Sequence, residues 1–288
     1  MIDGHTQLVG LMGWPIGHTL SPAMHNAAFD ALGLNWRYVP LPVRAELVEA
    51  AVRGLEGLGF RGCNVTVPHK QAVIPHLDAV APDAETFGAV NTIIVERSES
   101  GKVTARGDNT DYKGFIGSLR SGGFEPEGKR AVVVGGGGGA RAVVFGLLQA
   151  GADDVLVFDI VPEQAQALVA SLGDPRLRTL PQTVEALIES TRAADLLVNA
   201  TPVGMTPKVD GSIWPDGVPI PSHLTVFDLV YNPQKTKLLN QASQAGAHPI
   251  GGLDMLVRQG AVSFEMWTGL EPPIEVMRVT CQHGLLNR

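Results

Sequence analysis

A run of five glycines after a largely apolar strand constrains the fold of this 288-residue chain more than any other feature. The strand is predicted over Arg130 to Val134, and the glycines Gly135 to Gly139 follow it directly. An apolar helix pattern continues from Ala140, a second strand is predicted over Val155 to Phe158, and Asp159 ends that strand. This order of strand, glycine turn, helix, strand and acid is typical of a Rossmann-type βαβ unit that binds a dinucleotide.

Three positions in the turn match the pattern G-x-G-x-x-A, and each has a physical role. Gly135 allows a tight turn, Gly137 allows the backbone to approach a pyrophosphate, and Ala140 allows the helix to pack closely on the strand. The free N–H groups and the dipole at the start of the helix also favour phosphate. We therefore predict a dinucleotide site that includes the residues Gly135, Gly136, Gly137, Gly138 and Gly139.

The acid at the end of the second strand predicts which dinucleotide binds. Asp159 lies close to the ~20-residue offset expected of an acid that binds the adenosine ribose. The next residues are Ile160, Val161 and Pro162, so no Arg or Lys stands there to neutralise a 2′-phosphate. On this basis the sequence favours NAD over NADP as the cofactor.

Composition excludes several classes of protein. The net charge of −7 speaks against nucleic acid as a partner. No uninterrupted apolar stretch approaches the ~20 residues of a membrane span, so no membrane association is expected. The N-terminus does not resemble a signal peptide. Cys63 and Cys281 have no clustered partner, so we expect reduced thiols in a cytoplasmic protein without a metal site.

The alternation of strands and helices predicts two α/β domains. Residues 1–111 are expected to form a substrate-binding catalytic domain, and residues 112–252 a Rossmann-type NAD-binding domain. Two C-terminal helices within 253–288 are expected to return to the substrate domain. Residues 202–221 form a loop rich in Pro and Gly that is too long for a simple connection, which indicates function or mobility. A ligand site is expected in a cleft at the carboxyl ends of the strands.

Four short polar clusters lie at predicted strand ends in the first half of the chain, at residues 17–22, 64–70, 88–92 and 107–111. Together they supply hydroxyls, amides, one ammonium and carboxylates. These groups suit a small polyhydroxylated acid, because hydroxyls and amides bind its polar groups and a Lys/Asp pair can move a proton. Ser21, followed by Pro22, is also expected to be the N-cap of a helix. The nearby His18, His25 and His69 are expected to pack or to support loops.

These clusters and later motifs resemble the shikimate dehydrogenase family, including its NAD-using quinate/shikimate branch. The resemblance covers essentially the whole chain, and its motifs occur in the family's order. They are PIGHTLSP at 15–22, NVTVPHK at 64–70, AVNT at 89–92, GDNTD at 107–111, NATPVGM at 199–205, DLVYNP at 228–233 and GLDMLVRQ at 252–259.

The resemblance implies roles for individual residues. Lys70 and Asp111 are the implied catalytic pair, and Thr19 and Ser21 are implied to hold the substrate carboxylate. The residues implied to contact ring hydroxyls are Asn64, Thr66, Asn91, Tyr231 and Gln259, and those implied to border the nicotinamide are Val230, Gly252 and Met255. The implied reaction is reversible hydride transfer that interconverts shikimate with 3-dehydroshikimate, or quinate with 3-dehydroquinate.

Several alternatives stay open at this stage. Lys70 either accepts the hydroxyl proton as a neutral amine or polarises the oxygen as an ammonium and relays the proton with Asp111. Thr19 stands where many relatives have Ser, so the preference between shikimate and quinate is open. An aminoshikimate-type dehydrogenase and a non-catalytic ligand-binding homologue are the competing functions. The expected partners are small molecules, and a homodimer is the commonest assembly for such a chain.

Overall fold

The computed structural model describes residues 2–86 and 88–286. The chain divides into two compact units: the first contains the residues up to Thr110 and those from Gln259 onward, and the second contains Asp111–Arg258. Each unit has its own sheet, which confirms the predicted α/β fold class. Within the described ranges, no helix is both long enough and apolar enough to cross a membrane.

The sheet of the first unit is mixed. Its strands are β1 (Gln7–Gly13), β2 (Trp36–Pro42), β3 (Gly62–Val65), β4 (Ala79–Val80), β5 (Thr92–Arg97) and β6 (Val103–Asp108). They lie in the order β2-β1-β3-β5-β6-β4. The strand β1 pairs in parallel with β2 and β3, whereas β5 runs antiparallel to β3 and β6. The strands β5 and β6 form a hairpin across residues 98–102.

Three helices of the first unit precede the second unit in the chain: α1 (Ser21–Ala31), α2 (Val48–Gly57) and α3 (Pro82–Thr86). The prediction that Ser21 caps α1 is wrong, because Ser21 is already the first helical residue and Leu20 precedes it. The hydroxyl of Thr19 accepts a hydrogen bond from the Ser21 backbone N–H at 3.1 Å. The side chain of Thr19, two residues upstream, thus supplies an acceptor for one of the N–H groups that a helix start leaves without a backbone partner.

The sheet of the second unit is entirely parallel. Its strands are β7 (Arg130–Val134), β8 (Asp154–Phe158), β9 (Leu177–Thr179), β10 (Leu196–Asn199), β11 (Thr225–Asp228) and β12 (His248–Gly251). They lie in the order β9-β8-β7-β10-β11-β12. Counted within the unit this is 3-2-1-4-5-6, the Rossmann strand order. Its topological switch point lies between β7 and β10, where such folds bind ligands.

Helices cover both faces of this parallel sheet, which explains why β7 is apolar at successive positions. Ala131 and Val133 belong to one buried cluster, and Val132 and Val134 belong to another. A strand buried on both faces reads as a continuous hydrophobic run. The helices of the unit are α4 (Asp111–Ser121), α5 (Gly138–Gln149), α6 (Pro162–Leu172), α7 (Val184–Arg192) and α8 (Lys237–Gln244).

Two helices end the chain: α9 (Leu253–Thr268) and α10 (Ile274–Leu286). The division between the units falls inside α9, after Arg258. Helix α10 packs against α1 in the first unit. Both cysteines are free and buried, and burial raises the pKa of each thiol to about 12.

Candidate functional site

The first glycine of the loop is required by the backbone. Gly135 has φ of +121°, and a Cβ atom there would lie 2.9 Å from the carbonyl oxygen of Ala200, just past β10. Its N–H donates to the carbonyl of Phe158 at 2.7 Å, which joins the ends of β7 and β8. Only glycine combines this dihedral angle with this approach.

The glycines that follow Gly135 differ in their surroundings: one packs against a helix, and two face open space. A Cβ atom at Gly136 would lie 2.8 Å from the backbone of Gln164 on α6, so this position serves helix packing. At Gly137 and Gly138, no described atom would lie within 4 Å of an added Cβ. The start of α5 therefore presents backbone N–H groups to open space at the ends of the parallel strands. This arrangement fits the phosphates of a dinucleotide. A Cβ atom at Gly139 would lie 3.3 Å from Cδ2 of Leu229.

Asp159 follows β8 directly and shapes the turn into α6. Its Oδ1 accepts a hydrogen bond from the backbone N–H of Val161 at 2.8 Å. The side-chain amide of Gln182 contacts the carbonyl of Ile160 from the next loop. The Asp159 carboxylate thus has a local structural partner, in addition to any part that it plays in binding ribose.

A buried carboxylate joins the loops that follow β10 and β11, and the sequence analysis did not identify it as a site residue. The Oδ1 atom of Asp228 accepts from the Asn199 side-chain amide at 2.9 Å and from the Val230 N–H at 3.0 Å. Its Oδ2 atom accepts from the Thr236 hydroxyl at 2.6 Å. Asp228 is 0% exposed. Burial raises its pKa to about 6, and the three hydrogen bonds oppose that rise. An acid at the end of an otherwise apolar strand was the available sequence signal.

Three residues predicted to border the nicotinamide, and Tyr231, predicted to contact a ring hydroxyl of the substrate, lie beside this carboxylate in the chain and in the sheet. Val230 and Tyr231 follow β11, whereas Gly252 and Met255 follow its neighbour β12. Val230 and Met255 are buried, and Tyr231 is half-buried. A Cβ atom at Gly252 would lie 2.2 Å from the carbonyl oxygen of Leu229, so glycine is required here for close backbone packing. The structure therefore brings these four residues together at one edge of the second sheet.

In the first unit, the predicted substrate residues start at the carboxyl end of β1 and the beginning of α1. Thr19 is half-buried and Ser21 is buried, and they share the hydrogen bond at the helix start. Thr66 follows β3, and its methyl group would lie 2.4 Å from a Cβ atom at Gly13. Strand β1 therefore needs glycine at its end for the two loops to lie side by side.

Asn64 is held by a dense hydrogen-bond network. The Tyr38 hydroxyl donates to its Oδ1 atom at 2.9 Å. Its Nδ2 atom lies 3.2 Å from the Asn91 carbonyl, 3.1 Å from the Thr92 hydroxyl and 2.9 Å from the Ser263 hydroxyl. Burial raises the pKa of Tyr38 well above its usual range, so its hydroxyl is a neutral donor. Asn64 is therefore a rigid, largely internal residue.

Asn91 is fixed in the same network. Its Oδ1 atom accepts from the Thr110 backbone N–H at 2.8 Å and from the Thr92 hydroxyl at 2.9 Å. Its Nδ2 atom donates to the Thr110 hydroxyl at 3.0 Å and lies 3.5 Å from the Oε1 atom of Gln259 on α9. The structure thus brings together three of the residues that were predicted to contact the substrate's ring hydroxyls. Asn64 and Asn91 lie at strand ends, and Gln259 lies on a helix.

The predicted catalytic residues lie one in each unit. Lys70 is half-buried, and its carbonyl accepts a hydrogen bond from the Val90 N–H at 2.8 Å. That bond ties the lysine to the segment that carries Asn91. Asp111 is the first residue of α4 and is 8% exposed.

The three histidines near these clusters differ in environment. His18 is exposed. His69 contacts the Val43 carbonyl through Nε2 at 2.6 Å and so supports a loop. His25 is fully buried and stacks on Tyr38 with ring centroids 4.5 Å apart. Neither of its ring nitrogens has a hydrogen-bond partner among the described residues. Burial lowers its pKa to about 3.

Comparisons with known proteins agree with this geometry. Residues 11–93 match the family model described as the shikimate dehydrogenase substrate binding domain. Residues 252–279 match the model described as the shikimate 5′-dehydrogenase C-terminal domain. The chain is 46% identical over 281 residues to the shikimate dehydrogenase (NADP(+)) of Methanopyrus kandleri. The matched region covers 96% of this chain and 95% of that protein.

Two solved structures are similar along nearly the whole chain. Shikimate 5-dehydrogenase from Thermus thermophilus, in complex with NADP(H) and shikimate, has a TM-score of 0.86 and 38% identity over 97% of this chain and 100% of that one. Quinate dehydrogenase from Corynebacterium glutamicum, in complex with NAD, has a TM-score of 0.87 and 32% identity over 96% of this chain and 99% of that one.

The comparisons overturn one prediction. The sequence favoured NAD over NADP because of Asp159, and this preference is wrong: similar curated relatives are named shikimate dehydrogenase (NADP(+)), and similar structures contain NADP. The structure offers a physical reason. Because the Asp159 carboxylate accepts the Val161 N–H, an acid at this position has a use in the turn whichever cofactor binds.

Proposed function

The chain belongs to the shikimate dehydrogenase family, and on this premise we propose that it reversibly oxidises shikimate to 3-dehydroshikimate with NADP⁺ as hydride acceptor. One observation carries the proposal: 46% identity over 96% of the chain with a shikimate dehydrogenase (NADP(+)). The match spans both units of the chain. The cluster of amides and hydroxyls in the first unit supports a polyhydroxylated substrate.

We assign substrate binding to the first unit. Thr19 and Ser21, at the start of α1, are proposed to bind the carboxylate, because hydroxyls and a helix N-terminus favour an anion. The residues proposed to contact the ring hydroxyls are Asn64, Thr66, Asn91 and Gln259, with Tyr231 from the second unit. The buried network around the two asparagines supports these roles, because it holds their amides in one orientation.

We assign the cofactor to the glycine loop of the second unit. The open space at Gly137 and Gly138 and the N-terminus of α5 fit a pyrophosphate. When bound, the nicotinamide supplies the hydride chemistry of the reaction. Val230, Gly252 and Met255 are proposed to border that ring, and the hydrogen bonds of Asp228 hold the loop that carries Val230.

We propose that Lys70 and Asp111 move the proton of the reacting hydroxyl. Alcohol oxidation releases a proton from oxygen as hydride leaves carbon, so a proton acceptor must be placed at that oxygen. An amine and a carboxylate provide an acceptor and a group to orient or relay it. Asp111 is buried at the start of α4, and the N-terminus of a helix is a favourable place for a negative charge.

Partners and location follow from the same proposal. Shikimate, 3-dehydroshikimate and the nicotinamide cofactor are small molecules, and the net charge of −7 speaks against nucleic acid. Because both cysteines are free and buried, we propose a reducing compartment such as the cytoplasm. A homodimer is proposed as the assembly, and light scattering on the purified chain tests it.

The test is the absorbance of the reduced nicotinamide with shikimate or quinate, each combined with NADP⁺ or NAD⁺. We expect the highest kcat/KM with shikimate and NADP⁺. A higher value with quinate would favour the second candidate, a quinate dehydrogenase, which the similarity to the Corynebacterium glutamicum enzyme supports. A higher value with NAD⁺ would reject the proposed cofactor and keep the reaction. No turnover in any combination would reject the proposed function.

A further inference from the structure

Thr92 lies at the centre of the network that holds the two asparagines of the first unit. It is the first residue of β5, directly after Asn91, and it is 0% exposed. In the sheet it pairs with Asn64 of β3 on one side and Asp108 of β6 on the other. Its side chain is therefore enclosed by protein, and its only route to influence a ligand is through its neighbours.

The Thr92 hydroxyl has a full set of hydrogen bonds. It donates its single proton to the Oδ1 atom of Asn91 at 2.9 Å. It accepts from the Nδ2 atom of Asn64 at 3.1 Å. It also lies 2.8 Å from the Ser263 hydroxyl of α9, which in turn donates to the Gln259 carbonyl at 3.1 Å. One hydroxyl thus connects two amides and the helix that carries Gln259.

These bonds select one orientation of the Asn91 amide. The Oδ1 atom of Asn91 faces two donors, the Thr92 hydroxyl and the Thr110 backbone N–H. A flipped amide would place an NH₂ group against the Thr110 N–H, which can only donate, and would remove the acceptor that the Thr92 hydroxyl now has. The Nδ2 atom is thereby directed toward Thr110 and toward the Oε1 atom of Gln259 at 3.5 Å.

We propose that Thr92 is a positioning residue for the substrate, because its hydroxyl orients the amides of Asn64 and Asn91 and couples them to Gln259 through Ser263. This inference rests on the proposed function, in which those three residues contact the ring hydroxyls. Thr92 itself touches neither substrate nor cofactor. Its loss should therefore weaken substrate binding and leave cofactor binding and the proton-transfer groups unaffected.

The experiment compares three variants in steady-state kinetics and in calorimetric titration with shikimate. Thr92→Val keeps the shape and removes the hydroxyl, and we expect the KM and Kd for shikimate to rise roughly tenfold, the size typical of a lost buried hydrogen bond. Thr92→Ser keeps the hydroxyl and should restore a KM close to that of the wild type. The KM for NADP⁺ and the kcat per folded enzyme should change by less than about threefold in both variants.

Thr191→Val is the matched control. Its hydroxyl is also fully buried, but it has no hydrogen-bond partner in the described part of the chain, and it lies on α7 in the second unit. The same exchange there should leave the KM for shikimate unchanged. A purely structural role for Thr92 would reduce the yield of folded enzyme and its melting temperature while KM stayed constant.

The outcomes separate this inference from the proposed function. A wild-type enzyme that turns over shikimate, together with an unchanged KM and Kd in Thr92→Val, would overturn the inference alone. A wild-type enzyme without turnover would overturn both. If Thr92→Val does not fold, Ser263→Ala removes the hydroxyl that contacts both Thr92 and the Gln259 carbonyl, and an unchanged KM in that variant would equally overturn the inference.

Discussion

At the scale of single residues, a substitution at Asp159 can test whether its negative charge acts on the cofactor while its hydrogen bond to the turn is kept. The amide oxygen introduced by Asp159→Asn would still accept the Val161 N–H, so this substitution should keep the turn and remove one negative charge. With less repulsion of a 2′-phosphate, we expect the KM for NADP⁺ to fall roughly threefold to tenfold. The KM for NAD⁺, which has no 2′-phosphate, should not improve. An unchanged KM for NADP⁺ in initial-rate assays would show that this carboxylate does not face the phosphate.

Lys70 is the residue on which the proposed chemistry depends most. Lys70→Ala removes the amine, and we expect kcat to fall by ~100-fold or more because proton transfer loses its acceptor or relay. Binding of NADP⁺, followed by fluorescence, should persist, since the glycine loop belongs to the other unit. Lys102→Ala is the matched control, because this lysine is exposed in the turn between β5 and β6. Wild-type turnover in Lys70→Ala would remove the residue from the mechanism.

At the scale of elements, neighbouring glycines of the β7–α5 loop should respond differently to the same substitution. Gly137→Ala adds a methyl group in open space, so the protein should fold normally while the KM for NADP⁺ rises by roughly tenfold or more. Gly136→Ala would place Cβ 2.8 Å from the α6 backbone, and such overpacking typically costs ~1–3 kcal/mol. Thermal unfolding and cofactor kinetics on both variants test this division. A stability loss in Gly137→Ala as large as that in Gly136→Ala would contradict it.

The buried Asp228 makes the junction of β10 and β11 sensitive to pH. Because burial raises its pKa from 3.8 to about 6, the folded state binds a proton more tightly than the unfolded chain. The contribution of Asp228 to the free energy of unfolding is therefore fully present below about pH 4 and is lost as the pH rises through about 6. Above that pH the contribution no longer changes. The penalty at neutral pH is on the order of 3 kcal/mol.

The variant Asp228→Asn tests this charge penalty. The new amide would keep an acceptor for Asn199 and Val230 and would donate to Thr236 instead of accepting from it. We expect the melting temperature of the variant, relative to the wild type, to rise between pH 4 and pH 6.5 and then to level off. A difference that does not vary with pH would show that Asp228 does not titrate in this range.

Elements with a strong apolar pattern could be predicted from the sequence, and the two edge strands of the second sheet could not. The strand β10 is buried at all four positions and the helix α9 repeats buried residues at helical spacing, so the sequence carries a clear signal for both. The strands β9 and β12 were missed: both lie at edges of their sheet, β9 has one buried residue, and β12 contains Pro249. A strand with one neighbour and a half-exposed face carries little periodic signal.

The same distinction applies to the candidate site. The glycine loop and the polar clusters have unusual local sequences, so they were identified. The roles of Asp228 and Thr92 depend on partners far away in the sequence, such as Asn199 for the acid and Ser263 for the hydroxyl. Local patterns do not contain such contacts. Cofactor preference failed for a different reason: the partner of Asp159 is the backbone N–H of Val161, two residues on, and its position in the motif does not reveal that contact.

At the scale of the whole molecule, the two units should respond to pH in opposite directions. The second unit contains Asp228, whose buried carboxyl group makes the folded state more stable at low pH than at neutral pH. The first unit contains His25, whose ring is enclosed by the aromatic side chains of Phe29, Tyr38, Phe264 and Trp267. Burial lowers the pKa of His25 from 6.5 to about 3, so the unfolded chain binds its proton first as the pH falls. The contribution of His25 to the free energy of unfolding is fully present above about pH 6.5 and is lost progressively as the pH falls toward 3.

The variant His25→Phe tests this response in the intact chain. A phenyl ring needs no proton and no hydrogen-bond partner, so the variant should gain stability over the wild type at pH 5 relative to pH 7.5, by on the order of 2 kcal/mol. Any cost of packing the larger ring against Gly260 is common to both pH values and cancels in the comparison. His5→Phe makes the same exchange at an exposed position and should show no such difference. If calorimetry resolves two transitions, the gain should appear only in that of the first unit, and an equal gain at both pH values would mean that His25 is already protonated or solvated when folded.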